Sequence, residues 1–185
     1  APLYTLPALA LHECRPGHSF QAALALEQPE QPGFRKEQYF SGYGEGWGLY
    51  TEWLGGHIGI YETPYEEFGQ LTYEIWRAVR LVVDTGIHHY GWSREQALAY
   101  MKDNVPLSEH EITTEVDRYI AWPGQAVAYK LGQMQILRHR REAEQPLGPK
   151  FDQRNFHGAL LAHGIGPRPV SRPLWSSWPS SPRLW

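Results

Sequence analysis

The sequence predicts an all-α fold of about six to eight helices, with an irregular C-terminal tail, and three observations carry that prediction. Bulky apolar residues recur at intervals of three and four, in Trp47, Leu49, Tyr50, Trp53 and Leu54 and again in Phe68, Leu71, Ile75, Val79 and Val82. Two capping-box patterns, Ser93 to Gln96 and Ser108 to Glu111, mark helix starts. No run of five or more residues alternates between apolar and polar as a half-buried strand would, and no repeat at a solenoid period is present.

Taken in order, Thr5 to about Arg15 has a capping residue, an early proline and then good helix formers, so it reads as a helix that must end near Pro16-Gly17. His12 and Glu13 then sit in its last turns. Ser19 to Glu27 resumes helical composition, and Gln28 to Lys36, with two prolines and a glycine, reads as a loop. Residues 42–56 have helical spacing despite their glycines. Each interior glycine costs about 1 kcal/mol against Ala, so Gly44, Gly46 and Gly48 imply close packing or close approach. After Thr63-Pro64 a long helix runs from Tyr65 to about His89. Ser93 opens a short helix and Ser108 a polar one to about Tyr119. Pro123 stands at the first turn of a helix that ends near Arg141 in a cationic turn suited to its dipole. The segment PLGPK breaks it, and Asp152 to Ala162 forms one last short helix.

The 185 residues fit one domain, and 42% hydrophobic with 20% charged residues is a globular balance that excludes global disorder. No apolar run reaches the roughly 18–20 residues of a membrane-spanning helix. The net charge of −3 offers no electrostatic basis for binding nucleic acid or an anionic membrane. A single cysteine, Cys14, excludes an intrachain disulfide and reads as structural. The chain divides into a helical body, residues 1–163, and a tail, residues 164–185. The tail holds five of the 15 prolines and three tryptophans, and no acidic residue follows Asp152. That shift is what a changed reading frame in a GC-rich gene produces, so the tail is expected to add no chemistry. The start, Ala1-Pro2-Leu3-Tyr4, lacks an initiator Met, and a piece of a longer protein is expected.

The sharpest feature is His12-Glu13-Cys14-Arg15-Pro16-Gly17-His18. Zinc peptidases place two histidines four apart on one helix with a Glu beside the first as general base. Here Pro16 occupies that fourth position and the second histidine is six residues away, about 240° around a regular helix. The two histidines can meet only if the chain breaks between them, which Pro16-Gly17 permits. The alternative is two unrelated histidines around a helix-ending turn. A third ligand would come from another element. Glu45 and Glu52, seven residues and nearly two turns apart, share a helix face, so one can ligate while the other orients a ligand from behind. On the long helix, Arg80, Asp84 and His88 form a polar stripe. It is either an internal ion pair or a device in which Asp84 orients His88 for catalysis and Arg80 meets substrate. A carboxylate-bridged di-iron bundle is disfavoured, because no histidine has a Glu three residues before it.

The ordered set HECRPGH, GEGWGLYTEWL, RLVVDTGIHHYGWSREQA and RYIAWPGQAVAYKLG, from about Leu11 to about His163, resembles domain-of-unknown-function family 885. Its members are helical bacterial proteins several hundred residues long, similar to zincin-type metallopeptidases. The resemblance implies a C-terminal fragment holding one zinc per chain through His12, His18 and Glu45. It also implies Glu13 as the general base toward a water that zinc makes acidic, with Glu52 behind a ligand. Tyr129 resembles the tyrosine that donates to the oxyanion in related zincins, and Gln125, one turn before it, is a candidate substrate contact. The implied activity is hydrolysis of a peptide or small amide by a zinc metallopeptidase. The competing expectation is a fragment that binds metal or oligomerises without catalysis, its apolar faces covered by a second copy or by the rest of the longer protein. A cytoplasmic and a periplasmic location are both compatible with the sequence.

Overall fold

The structure, a computed structural model, describes residues 2–28 and 39–162. The expected loop lies almost wholly, and the tail, residues 164–185, wholly, outside them. Among the described residues the fold is all-α, as the spacing predicts. Eight α-helices follow one another: α1 (Leu6–Glu13), α2 (His18–Glu27), α3 (Ser41–His57), α4 (Pro64–His88), α5 (Arg94–Asn104), α6 (Glu109–Ala121), α7 (Gln125–Leu147) and α8 (Gln153–Leu161). No helix among these residues is long and apolar enough to cross a membrane.

Local chemistry accounts for the boundaries. Capping boxes form at Ser93 and Ser108 as expected, and a third, unforeseen one forms where Thr63 and Glu66 start α4. Helix α1 stops at Glu13 rather than near Arg15, because the residue before a proline is pushed out of helical angles. Helix α7 runs past the expected end at Arg141 to Leu147. Pro146 lies in its last turn, where it cannot donate to the turn before it and so weakens the helix near its end, and Gly148 (φ +49°) closes it.

Two apolar clusters lie side by side with α7 shared between them. Trp47, Tyr50 and Leu54 of α3 pack with Ile136 and Ala143 of α7 and with Phe156, Leu160 and Leu161 of α8. Val79 and Val83 of α4 pack with Ala97 and Met101 of α5, Ile112, Val116 and Tyr119 of α6 and Ala126 of α7. The close approach of α3 to α7 explains Gly46: a Cβ there would stand 2.5 Å from Gly132 Cα. Helix α1 sits against α3 and α4, and His12 in its last turn is buried while Glu13 at its end is exposed.

The apolar spacing on α4 misidentifies its inner face. Phe68, Leu71, Ile75 and Val82 are exposed, and the buried side carries Tyr73, Arg77, Val79, Arg80, Val83 and Asp84. A helix that buries two arginines and an aspartate serves a polar interior, so its hydrophobic stripe points the other way.

Candidate metal centre

His12 lies in the last turn of α1 and His18 opens α2, with four non-helical residues between them. That break converts a 240° separation into contact: the two rings meet edge to face at 87°, with centroids 4.7 Å apart. Only glycine fits position 17, since a Cβ there would stand 1.9 Å from the His12 carbonyl oxygen. Helix α3 ties the turn down. Trp47 Nε1 donates to the Pro16 carbonyl at 2.8 Å, and the Thr51 hydroxyl donates to the Leu11 carbonyl at 2.8 Å.

Glu45, near the start of α3, faces both rings. Its Oε2 is 3.4 Å from His12 Nε2 and 3.3 Å from His18 Nε2. One ligand atom from each of the three residues lies within 4.8 Å of the others. Cys14 is exposed and stands outside this group. Burial works to raise the Glu45 carboxyl, but the hydrogen bonds from His12 and His18 outweigh it and hold the group down at about 2. Burial likewise opposes protonation of His12, yet its hydrogen bonds with Glu45 and Glu52 and the charge of Glu52 raise its pKa. Both shifts favour the charged forms of the pair, imidazolium beside carboxylate.

Glu52 takes the place behind His12. It is fully buried, and His12 Nδ1 donates to its Oε1 at 2.6 Å, which directs Nε2 toward Glu45 and His18. Arg77 of α4 brings Nη2 to 3.4 Å from the same oxygen. Gly48 lies beneath the ring, where a Cβ would meet His12 Nε2 and Cε1 at 2.7 Å.

The remaining sequence candidates divide into those near this centre and those away from it. Glu13 is exposed at the end of α1, one residue after His12. The Tyr129 ring lies alongside His12, with centroids 6.2 Å apart and 28° between planes. Its hydroxyl accepts from Gln125 Nε2 at 3.2 Å and from Arg118 Nη2 at 3.5 Å. Gln125 is buried and also accepts from Arg118 at 2.6 Å, so it supports Tyr129 rather than facing open space.

The stripe Arg80, Asp84, His88 does not act as a unit, and each member finds a stronger partner on another helix. Arg80 is 2% exposed; it donates to Glu115 and to the Tyr119 hydroxyl and lies over Trp76 and Tyr129. Asp84 accepts from the backbone N–H of Gly124, 3.1 Å away, where the positive end of α7 favours a carboxylate. Gly124 has φ +79°, which few residues but glycine adopt. His88 is exposed and donates to the Tyr119 carbonyl at 2.9 Å. The eleven positions from Arg77 to His88 amount to about 16 Å of helix rise, which puts His88 far along α4 from the histidine pair.

Sequence reasoning passed over Arg77, Thr51, Trp47 and Arg118. Arg77 left a trace, since it stands three residues before Arg80 on an otherwise apolar stretch and therefore shares its side of the helix.

Solved structures similar to this chain include one from Colwellia psychrerythraea and one from Shewanella oneidensis. The first is 46% identical with a TM-score of 0.85, covering 88% of this chain and 28% of that one. The second is 27% identical with a TM-score of 0.81, covering 88% and 30%. Both are described as "putative lipoproteins", the second of unknown function. The chain thus spans less than a third of either. No curated protein matches it. The family described as "Bacterial protein of unknown function (DUF885)" matches residues 1–172, beyond the expected limit at His163. The chain carrying this cluster of two histidines and a glutamate belongs to the DUF885 family.

Proposed function

We propose that His12, His18 and Glu45 hold one zinc ion and that the chain supplies the catalytic centre of a zinc-dependent hydrolase of peptide or amide bonds in the bacterial envelope. The observation that carries this reading is the gathering of the three ligand atoms within 4.8 Å from three different helices, with Nδ1 of His12 already engaged by Glu52. Two imidazole nitrogens and one carboxylate suit zinc better than calcium or magnesium, which take oxygen, and three protein ligands match a catalytic rather than a structural site. When bound, zinc supplies Lewis acidity and makes water acidic enough to lose a proton near neutral pH.

The chain's own residues do the rest. Glu52 fixes His12 in the tautomer that presents Nε2. Glu13, exposed beside His12, takes the proton of the attacking water on its carboxylate and returns it to the leaving amine. Gln125 and Arg118 occupy both acceptor positions of the Tyr129 hydroxyl, so its proton is directed elsewhere, toward a carbonyl oxygen gaining charge. The description of both solved relatives as "putative lipoproteins" supports the envelope location.

Metal analysis and peptide hydrolysis test the proposal together. One zinc per chain is expected, lost in His12→Ala and in His18→Ala; Glu13→Gln is expected to keep the metal and abolish hydrolysis. Hydrolysis that survives Glu13→Gln would remove the general base.

A further inference from the structure

Glu52 has 0% exposure, and an ionised carboxylate in such a place requires compensating partners. His12 gives Oε1 a hydrogen bond at 2.6 Å, and Oε2 has no hydrogen-bond partner. The cation that faces the group is Arg77, which is itself 5% exposed. Its guanidinium lies over the rings of Tyr73 and Trp76, at 4.5 Å from each centroid, and within 5.8 Å of the Tyr129 ring. Its bond to the Tyr73 carbonyl is long, at 3.5 Å, and its Nε has no partner. Among the described residues its one ion pair is with Glu52. Aromatic faces thus hold the arginine in place and leave its charge to a single carboxylate oxygen, the one that accepts from His12. For stability alone, an apolar pair of similar volume would serve as well or better.

We infer that Arg77 is a positioning residue for the metal centre proposed above: it anchors Glu52 so that Oε1 faces His12 Nδ1, and through that bond it sets the tautomer and orientation of the His12 ring. Helix α4 contributes no ligand, yet through Arg77 it governs one. The inference rests on the metal-centre reading for its consequence and on the Arg77–Glu52–His12 geometry for its substance.

The test uses Arg77→Met and Arg77→Gln, which remove the charge, and Arg77→Lys, which keeps it. Circular dichroism establishes which variants fold, and Gln with its hydrogen-bonding amide covers the case in which Met does not. Two quantities are read: zinc affinity by competition titration, and the His12 ring-nitrogen shifts by 15N NMR of the metal-free protein at alkaline pH. Loss of the charge should weaken zinc binding about 10- to 100-fold, the usual effect of removing support behind a ligand. It should also move His12 from the Nδ1–H tautomer toward the Nε2–H one, and Lys should restore most of both. Folded Met or Gln variants with unchanged His12 shifts would overturn the inference. If the unsubstituted protein binds no zinc, the metal-centre reading fails, and the nitrogen shifts still decide the role of Arg77.

Discussion

At His12 three contacts decide what the ring can do: Glu52 on Nδ1, Glu45 opposite Nε2 and Gly48 beneath. Gly48 makes a residue-scale prediction with competing effects. Replacing an interior helical glycine by Ala ordinarily stabilises by about 1 kcal/mol. Here the new Cβ would stand 2.7 Å from the imidazole, and the ring, pinned by Glu52, has nowhere to go. Gly48→Ala is therefore expected to lower zinc affinity at least about tenfold, as a misplaced ligand does; a calorimetric titration equal to that of the unsubstituted protein would contradict this. At this scale the sequence was informative about spacing and silent about partners. The six-residue gap with Pro16-Gly17 between the histidines, and the two-turn gap between Glu45 and Glu52, could be read as geometry. Arg77 could not, because its meaning depends on α4 meeting α3 far away in the chain. The same long-range competition undid the stripe of Arg80, Asp84 and His88, whose partners lie on α6 and at Gly124, just before α7.

Among the helices, the contact of α3 with α7 carries the scaffold, and it depends on two glycines facing each other. A Cβ on Gly132 would lie 2.0 Å from the Gly42 carbonyl oxygen and 2.6 Å from Gly46 Cα, and both obstacles are backbone. Gly132→Ala should cost about 1–3 kcal/mol or more in denaturant unfolding, the range for overpacking. Gly158 is the control: it lies inside α8 with nothing within 4 Å of an added Cβ, so Gly158→Ala should stabilise by about 0.5–1 kcal/mol. Opposite signs from the same chemical change are the expected result, and equal signs would contradict the packing described. Helix starts were legible where a side chain caps them, at Ser93 and Ser108. The inner face of α4 was not, because periodicity locates apolar residues without saying which side of a helix serves a polar site.

The whole molecule should lose stability in mildly acidic solution, and α8 is one reason. His157 accepts a hydrogen bond from the Tyr50 hydroxyl, which Arg140 in turn contacts at 2.8 Å. Burial, then the charge of Arg140, pushes the imidazole down from 6.5 to about 4. Between those values the unfolded chain binds the extra proton and the folded one does not. Stability should therefore fall as pH drops through that window, by up to about 1.4 kcal/mol per unit from this group. Glu45, also depressed, adds a loss at lower pH, as acid protonates a carboxylate that the fold keeps ionised. Melting curves should show a shallower decline between pH 6.5 and 4 for His157→Phe than for the unsubstituted protein. Equal slopes would show that His157 is not the group responsible. On the same scale, the exposed apolar row of Phe68, Leu71, Ile75 and Val82 belongs to a chain that spans less than a third of its solved relatives. The expected helical class is present among the described residues, and the supposed tail lies beyond them. Zinc-edge anomalous diffraction from crystals grown with zinc tests the central claim most directly. The account predicts one strong peak per chain, about 2.0–2.2 Å from His12 Nε2, His18 Nε2 and a Glu45 oxygen. No peak at that position, or a peak ligated by other residues, would contradict it.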